Sequence, residues 1–211
     1  LSNHSVDFSY RYKNYNLFGE VAYSTGGGMA YLAGALLALD KRFNISLLWR
    51  NYERNYNAIE PNALAESSTV TNENGIYMGM EILLHRDWKI RAYADFWRHP
   101  WLRFNIDSPT HGQEYVARVD FTKKRKLNVY VQYTYENKFF NINPPDGKFK
   151  IAAEQIRQRL RLHLSNKVNR NLELRTRLEM SIFENPEENQ NGYLFYQDVI
   201  YKPLNQPLSL T

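Results

Sequence analysis

The sequence predicts an all-β fold, an antiparallel up-and-down transmembrane β-barrel of the outer-membrane type, and three observations predict it. Segments of about ten residues alternate apolar and polar side chains, and alternation places each set on its own face of a strand. The connections between these segments are alternately short and long, as membrane-crossing hairpins require. Aromatic residues make up 15% of the chain, with 16 Tyr and 11 Phe. Girdles of rings at both membrane interfaces account for such an excess. A soluble β-sandwich has no reason to keep the parity of its loops.

The elements follow in order. Val6 to Tyr12 sets Val6, Phe8, Tyr10 and Tyr12 against Asp7, Ser9 and Arg11. After a tight Lys13-Asn14 turn, Tyr15 to Tyr23 carries Leu17, Val21 and Tyr23 opposite Glu20. Met29 to Leu39 has an Ala-Gly-Ala-Leu-Leu-Ala core that suits a helix by propensity, but its position and length suit a small-residue strand. Phe43 to Tyr52 turns Phe43, Ile45, Leu47 and Trp49 outward and Asn44, Ser46 and Arg50 inward. Gly75 to Leu84, Trp88 to Arg98, Glu114 to Phe121 and Leu127 to Asn137 repeat the pattern. Ile156 to Leu164 and Leu172 to Ile182 thread arginines through leucines, and Tyr193 to Tyr201 follows. Pro207 to Thr211 reads as the opening of a further strand, so about twelve strands are visible.

Residues 1–211 are therefore expected to be one segment of a larger barrel, incomplete in this chain, with an N-terminal region and the closing strands absent. The longest apolar stretch, Met29 to Leu39, is too short for a spanning helix, which needs about 20 residues. The chain has no cysteine, which excludes disulfides and thiolate metal sites. Its net charge of +5 is spread over turns and inward faces rather than gathered into a nucleic-acid surface.

Four segments are distinctive. They are the run Arg50 to Ser68 (opening Arg50-Asn51-Tyr52-Glu53-Arg54-Asn55-Tyr56), Asn72 to Glu81, Tyr93 to Phe104 and Tyr133 to Lys138. Together they resemble the C-terminal barrel region of Bacteroidota helix-hairpin-helix domain-containing outer-membrane proteins, over roughly residues 40 to 211. The resemblance implies an outer-membrane barrel and, in the family, a separate nucleic-acid-holding segment toward the N-terminus. It transfers no catalytic or DNA-binding residue to this chain.

The densest polar constellation is the ladder of Arg157, Arg159, Arg161 and His163 facing Glu173, Arg175, Arg177 and Glu179. A turn centred near Val168 places His163 opposite Glu173, Arg161 opposite Arg175, Arg159 opposite Arg177 and Arg157 opposite Glu179. Like charges so placed are unfavourable, and Glu114, Asp120, Glu136 and Asp198 point the right way to compensate them. The ladder reads either as a salt-bridge network filling the lumen or as an anion-attracting constriction. Phe96, Trp97, Trp101 and Phe104, with Pro100, read as an aromatic anchor at the outer interface. His99, Asp107, Ser108 and His111 share one loop but match no triad spacing, and two histidines twelve apart are weak as a metal site. No catalytic residue, metal site or cofactor is expected. The apolar content of the loop Glu53 to Asn74 exceeds what a solvated connection needs, so it is expected to fold over the barrel mouth or dock a partner.

These readings point to the bacterial outer membrane, with the lipid bilayer and lipopolysaccharide as surroundings and other outer-membrane or periplasmic subunits as partners. Nucleic acid is not expected to bind this segment. The expected role is a membrane-embedded subunit or scaffold of an envelope complex, and not an enzyme. The alternatives are a pore with a basic lumen and, from the resemblance alone, a component of nucleic-acid uptake.

Overall fold

The structure, a computed structural model, describes residues 2–59, 63–124, 126–143 and 149–203. Among the described residues there are eleven strands: β1 (Asn3–Tyr12), β2 (Tyr15–Ser24), β3 (Met29–Asp40), β4 (Phe43–Tyr52), β5 (Glu73–His85), β6 (Trp88–His99), β7 (Thr110–Lys123), β8 (Leu127–Ile142), β9 (Ile151–Lys167), β10 (Leu172–Glu184) and β11 (Asn189–Tyr201). They form one antiparallel sheet in the order β1 to β11, each strand pairing only with its neighbours in sequence. The sheet is an up-and-down meander whose edges, β1 and β11, do not pair with each other. The further strand expected from Pro207 lies outside the described residues.

Met29 to Leu39 is indeed a strand, and its small residues have packing reasons. Gly34 sits beneath the ring of Phe18, and a Cβ there would lie 2.3 Å from a ring carbon. Ala30 is buried with Ala22 of β2. The register shifts between Ala38 and Asp40 and between Leu83 and His85 both fall beside short turns, where a bulge is least disruptive.

The connections only partly keep the expected parity. Residues 13–14, 41–42 and 86–87 are tight turns, whereas 53–72 and 100–109 are long. At the C-terminal end the alternation fails, because 168–171 and 185–188 are equal in length. The connection expected over Glu184 to Gly192 shrinks because β10 and β11 pair out to Glu184 and Asn189. The Asn185 side chain then closes the turn by accepting from the backbone N–H groups of Glu187 and Glu188.

One face of the sheet is apolar on every strand and exposed. It carries Phe8 and Tyr10 on β1, Leu47 and Trp49 on β4, Met78 and Met80 on β5, Leu160 and Leu162 on β9, and Phe195 on β11. The other face is polar and concave. A hollow of about 860 Å³ has Arg11 of β1, Ser46 of β4, Tyr93 of β6 and Gln132 of β8 among its walls. In a flat sheet β1 and β8 would stand about 34 Å apart at roughly 4.8 Å per strand, so the sheet curls around its polar side.

Candidate functional site: a clasped strap and an arginine ladder

In the long connection between β4 and β5, residues 53–59 and 63–72 fold onto the polar face as a strap, and the neighbouring strands are built to receive them. Val70 packs with Ala22, Ala30 and Tyr52 in a small buried apolar cluster, against which Tyr56, Ala58 and Ala65 lie. Tyr52 donates its hydroxyl hydrogen bond to the Leu64 carbonyl at 2.9 Å, so its polar end is satisfied inside the cluster. Gly28, at φ +111°, ends the β2–β3 turn against the backbone of Asn55 and Tyr56. A Cβ there would lie 2.3 Å from the Tyr56 nitrogen. The Glu53 carboxylate accepts from the Met29 N–H at 2.8 Å, fixing the start of the strap.

The clasp is a buried ion cluster. Arg50 of β4 is fully buried; its Nε donates to Glu73 at 2.6 Å, and its two terminal nitrogens donate to Asp95 of β6 at 2.8 and 3.2 Å. The cradle for the guanidinium is Gly75, directly opposite Arg50 in the β4–β5 ladder, where any Cβ would lie 2.6 Å from its central carbon. Glu73 also accepts from the strap backbone, from Glu66 N–H at 3.0 Å and Ser67 N–H at 3.4 Å. One carboxylate thus neutralises a buried cation and holds the loop.

A second lacing joins the strap to the connection 100–109. Asn72, at φ +55°, occupies the left-handed region that Asn tolerates. Its side chain accepts from the Trp101 N–H at 3.0 Å and donates to the Trp101 carbonyl at 2.8 Å. His99 is buried, with Nδ1 3.0 Å from the Asn72 carbonyl and Nε2 3.0 Å from Arg103, which also reaches Ser67. Burial draws the Arg103 guanidinium below its ordinary value. Burial pushes the Glu66 carboxyl up to about 7; Lys138 opposes this, while the charges of Glu136, Glu114 and Glu73 add to it.

The arginine ladder is present on the polar face, but its register differs from the expected one. The turn centres on Arg170 rather than Val168, so Arg161 faces Glu179, Arg177 faces His163, Arg175 faces Ser165, Arg159 faces Ser181 and Arg157 faces Phe183. The cause is Asn169, whose side chain accepts from the N–H groups of Asn171 and Leu172 at 2.8 Å and closes the turn there. The shift removes the like-charge rows. Arg161 donates to Glu179 at 2.6 Å, and Glu173 accepts from Arg175 at 2.7 Å and from Ser165 at 3.0 Å. Among the carboxylates expected to help, Glu136 stands 3.9 Å from Arg157 but takes Lys138 at 2.7 Å. Asp120 is occupied by Arg91 and Arg118.

The four expected anchor aromatics do not share one face. Phe96 faces outward and meets Tyr115 edge-on at 5.6 Å, while Phe104 is 92% exposed. Trp97 alternates to the polar side and is 3% exposed, its ring filling the space left by Gly112. Trp101 lies in the loop beneath the Arg54 guanidinium. The outward row instead continues from Phe96 through Tyr115 to Tyr135, and a second row, Trp88 with Phe121, lies near the opposite strand ends. The loop cluster of His99, Asp107, Ser108 and His111 does not converge either. His99 turns to the Asn72 carbonyl and Arg103, His111 packs against Phe139 with tilted rings, and Asp107 accepts from Asn141.

The clasp was not named as a site from sequence, although Arg50, one of its three charged groups, was placed on an inward face. What joins them is the β4–β5 register across a long loop, which alternation alone does not give. Fold and site together define an open, curled antiparallel β-sheet with a loop-lined polar interior. No protein-family model matches the chain, and comparison with curated proteins gives no match.

Proposed function

We propose that this chain forms part of the wall of a bacterial outer-membrane β-barrel and acts as a membrane-embedded scaffold within a larger envelope assembly. The observation that carries this reading is the continuous apolar outer face. On β10 it runs from Leu172 to Ile182, about 34 Å along the strand at ~3.4 Å per residue. A tilt of about 40° reduces this to about 26 Å, against an expected band of roughly 25 Å. Two pairs of polar groups that interrupt the face satisfy each other, as lipid contact favours. Tyr133 donates to Gln158 at 2.7 Å, and Thr176 donates to Gln197 at 2.8 Å. The two aromatic rows lie toward its two ends, where headgroups, lipopolysaccharide included, would meet them.

The strap favours a scaffold over an open channel, because its clasp fixes a loop across the polar face. Ile59, Leu64 and Trp101 leave apolar surface exposed on the loops, where a protein subunit would dock. The test is mild-detergent purification of the full-length protein from native membranes, with co-purifying proteins identified. Stoichiometric partners are expected, and recovery from the soluble fraction would refute the membrane assignment. A solitary barrel would favour the second reading, a pore, which rests on the arginines of the ladder that lack a carboxylate.

A further inference from the structure

The inward faces of β9 and β10 carry five arginines, Arg157, Arg159, Arg161, Arg175 and Arg177, against two glutamates, Glu173 and Glu179. The glutamates are consumed by Arg161 and Arg175. Arg157 has only a 3.9 Å approach to Glu136, which Lys138 already holds. Among the described residues, Arg159 has no carboxylate within ion-pair distance, and its buried Nε has no hydrogen-bond partner.

The surroundings of Arg159 are those of a receptor rather than a packed core. The cross-strand row through it reads Thr134, Arg159, Ser181 and Gly192, all small residues apart from the arginine. A Cβ built at Gly192 would meet nothing nearer than Ser181, at 3.9 Å. The space left over is a hollow of about 460 Å³ lined by Arg157, Arg159, Ser181, Phe183 and Gln190, with Glu188 also on its wall. Two guanidiniums outnumber that single carboxylate, a hydroxyl lies between strands, and a neutral amide completes the donor set. Guanidinium forks match the paired oxygens of phosphate.

We propose that this hollow binds a phosphate-type oxyanion, inorganic phosphate or a phosphate monoester, with Arg157 and Arg159 as its cationic ligands and Ser181 as hydroxyl donor. The site lies on the polar face, so the source is a soluble phosphate rather than a lipid headgroup. It holds whether the barrel serves as scaffold or pore, because it depends on local charge and shape alone.

The test is calorimetric titration of the full-length protein in detergent with inorganic phosphate at constant ionic strength. Saturable one-to-one binding is expected, with loss of at least tenfold in affinity for Arg159→Leu and less than twofold change for Arg175→Leu, whose charge is already paired. Arg159→Lys, which keeps the charge but not the fork, should fall between them. If Arg159→Leu fails to assemble, Ser181→Val, which fills the hollow without removing charge, should give the same loss. A non-saturable titration overturns the proposal, as does equal affinity in Arg159→Leu, Ser181→Val and the parent. Dihexanoyl phosphatidic acid, titrated in parallel, separates the sources: tighter binding than phosphate would overturn the soluble assignment in favour of a lipid headgroup.

Discussion

At the scale of single residues, the clasp concentrates the consequences. Arg50 is fully buried between Glu73 and Asp95, so Arg50→Leu leaves two carboxylates facing an apolar replacement. Removing one partner of a buried ion pair costs about 3–5 kcal/mol. The expected outcome is release of the strap, read as rapid proteolytic cleavage within residues 54–71 before any loss of sheet structure by circular dichroism. Unchanged cleavage would mean that the apolar cluster around Val70 holds the strap without the clasp. Glu66 adds a pH dependence. Its neighbours are Lys138, Glu136, Glu114, Glu73 and Arg103, and burial holds its proton on up to about 7 instead of the ordinary value near 4.5. The folded chain therefore binds more protons than the unfolded one between those values. The resulting stabilisation is complete below about 4.5 and is lost as pH rises through about 7. Strap cleavage should accelerate as pH rises from about 4.5 to about 7 and level off above that, and Glu66→Gln should flatten the profile.

At the scale of elements, the strands and their faces were legible because a period of two survives any error in where a strand begins. Arg157, Arg159, Arg161 and His163 share the polar face as alternation requires, and Leu160, Leu162 and Leu164 share the other. The pairing between strands was not legible. The choice of Asn169 over its neighbours as turn former moved the β9–β10 register and removed both arginine–arginine rows, leaving Arg161 opposite Glu179 as the strong pair. The clasp was hidden for a related reason: Arg50 and Glu73 are brought together only once the ends of a long loop are fixed. Trp97 was misplaced because a run of aromatics was taken as a patch, although adjacent strand residues point to opposite faces. The face assignment carries its own prediction. Leu162→Arg places a charge on the apolar face and should impair membrane assembly, by about 2–4 kcal/mol at mid-bilayer depth. Arg159→Leu, on the polar face, should leave insertion intact. The comparison is made by the fraction of each variant reaching the membrane in heat-modifiable form, and equal assembly of Leu162→Arg and parent would reverse the two faces.

At the scale of the whole molecule, the curl of the sheet and the placement of the strap make a joint statement about permeability. A polar concave face alone would line a water-filled channel. Here residues 53–59 and 63–72 lie across the polar face at the strand ends away from the short turns, held by Gly28, the Val70 cluster and the Arg50–Glu73–Asp95 clasp. Three separate anchors on β2 to β6 make the strap part of the sheet's interior rather than a lid resting on it. The full-length protein in planar bilayers should then conduct poorly. Replacing residues 55–70 with a short Gly-Ser linker should raise the conductance, while the variant still reaches the membrane, because β4 and β5 keep their pairing from Tyr52 and Glu73 onward. The released current should prefer anions, since Arg159 and Arg177 then face water with no carboxylate within ion-pair distance among the described residues. Arg50→Leu should reproduce part of this conductance, because it opens the clasp without shortening the chain. If the excised variant stays as silent as the parent, another part of the protein occludes the lumen, and the strap's role is confined to bracing β2 to β6.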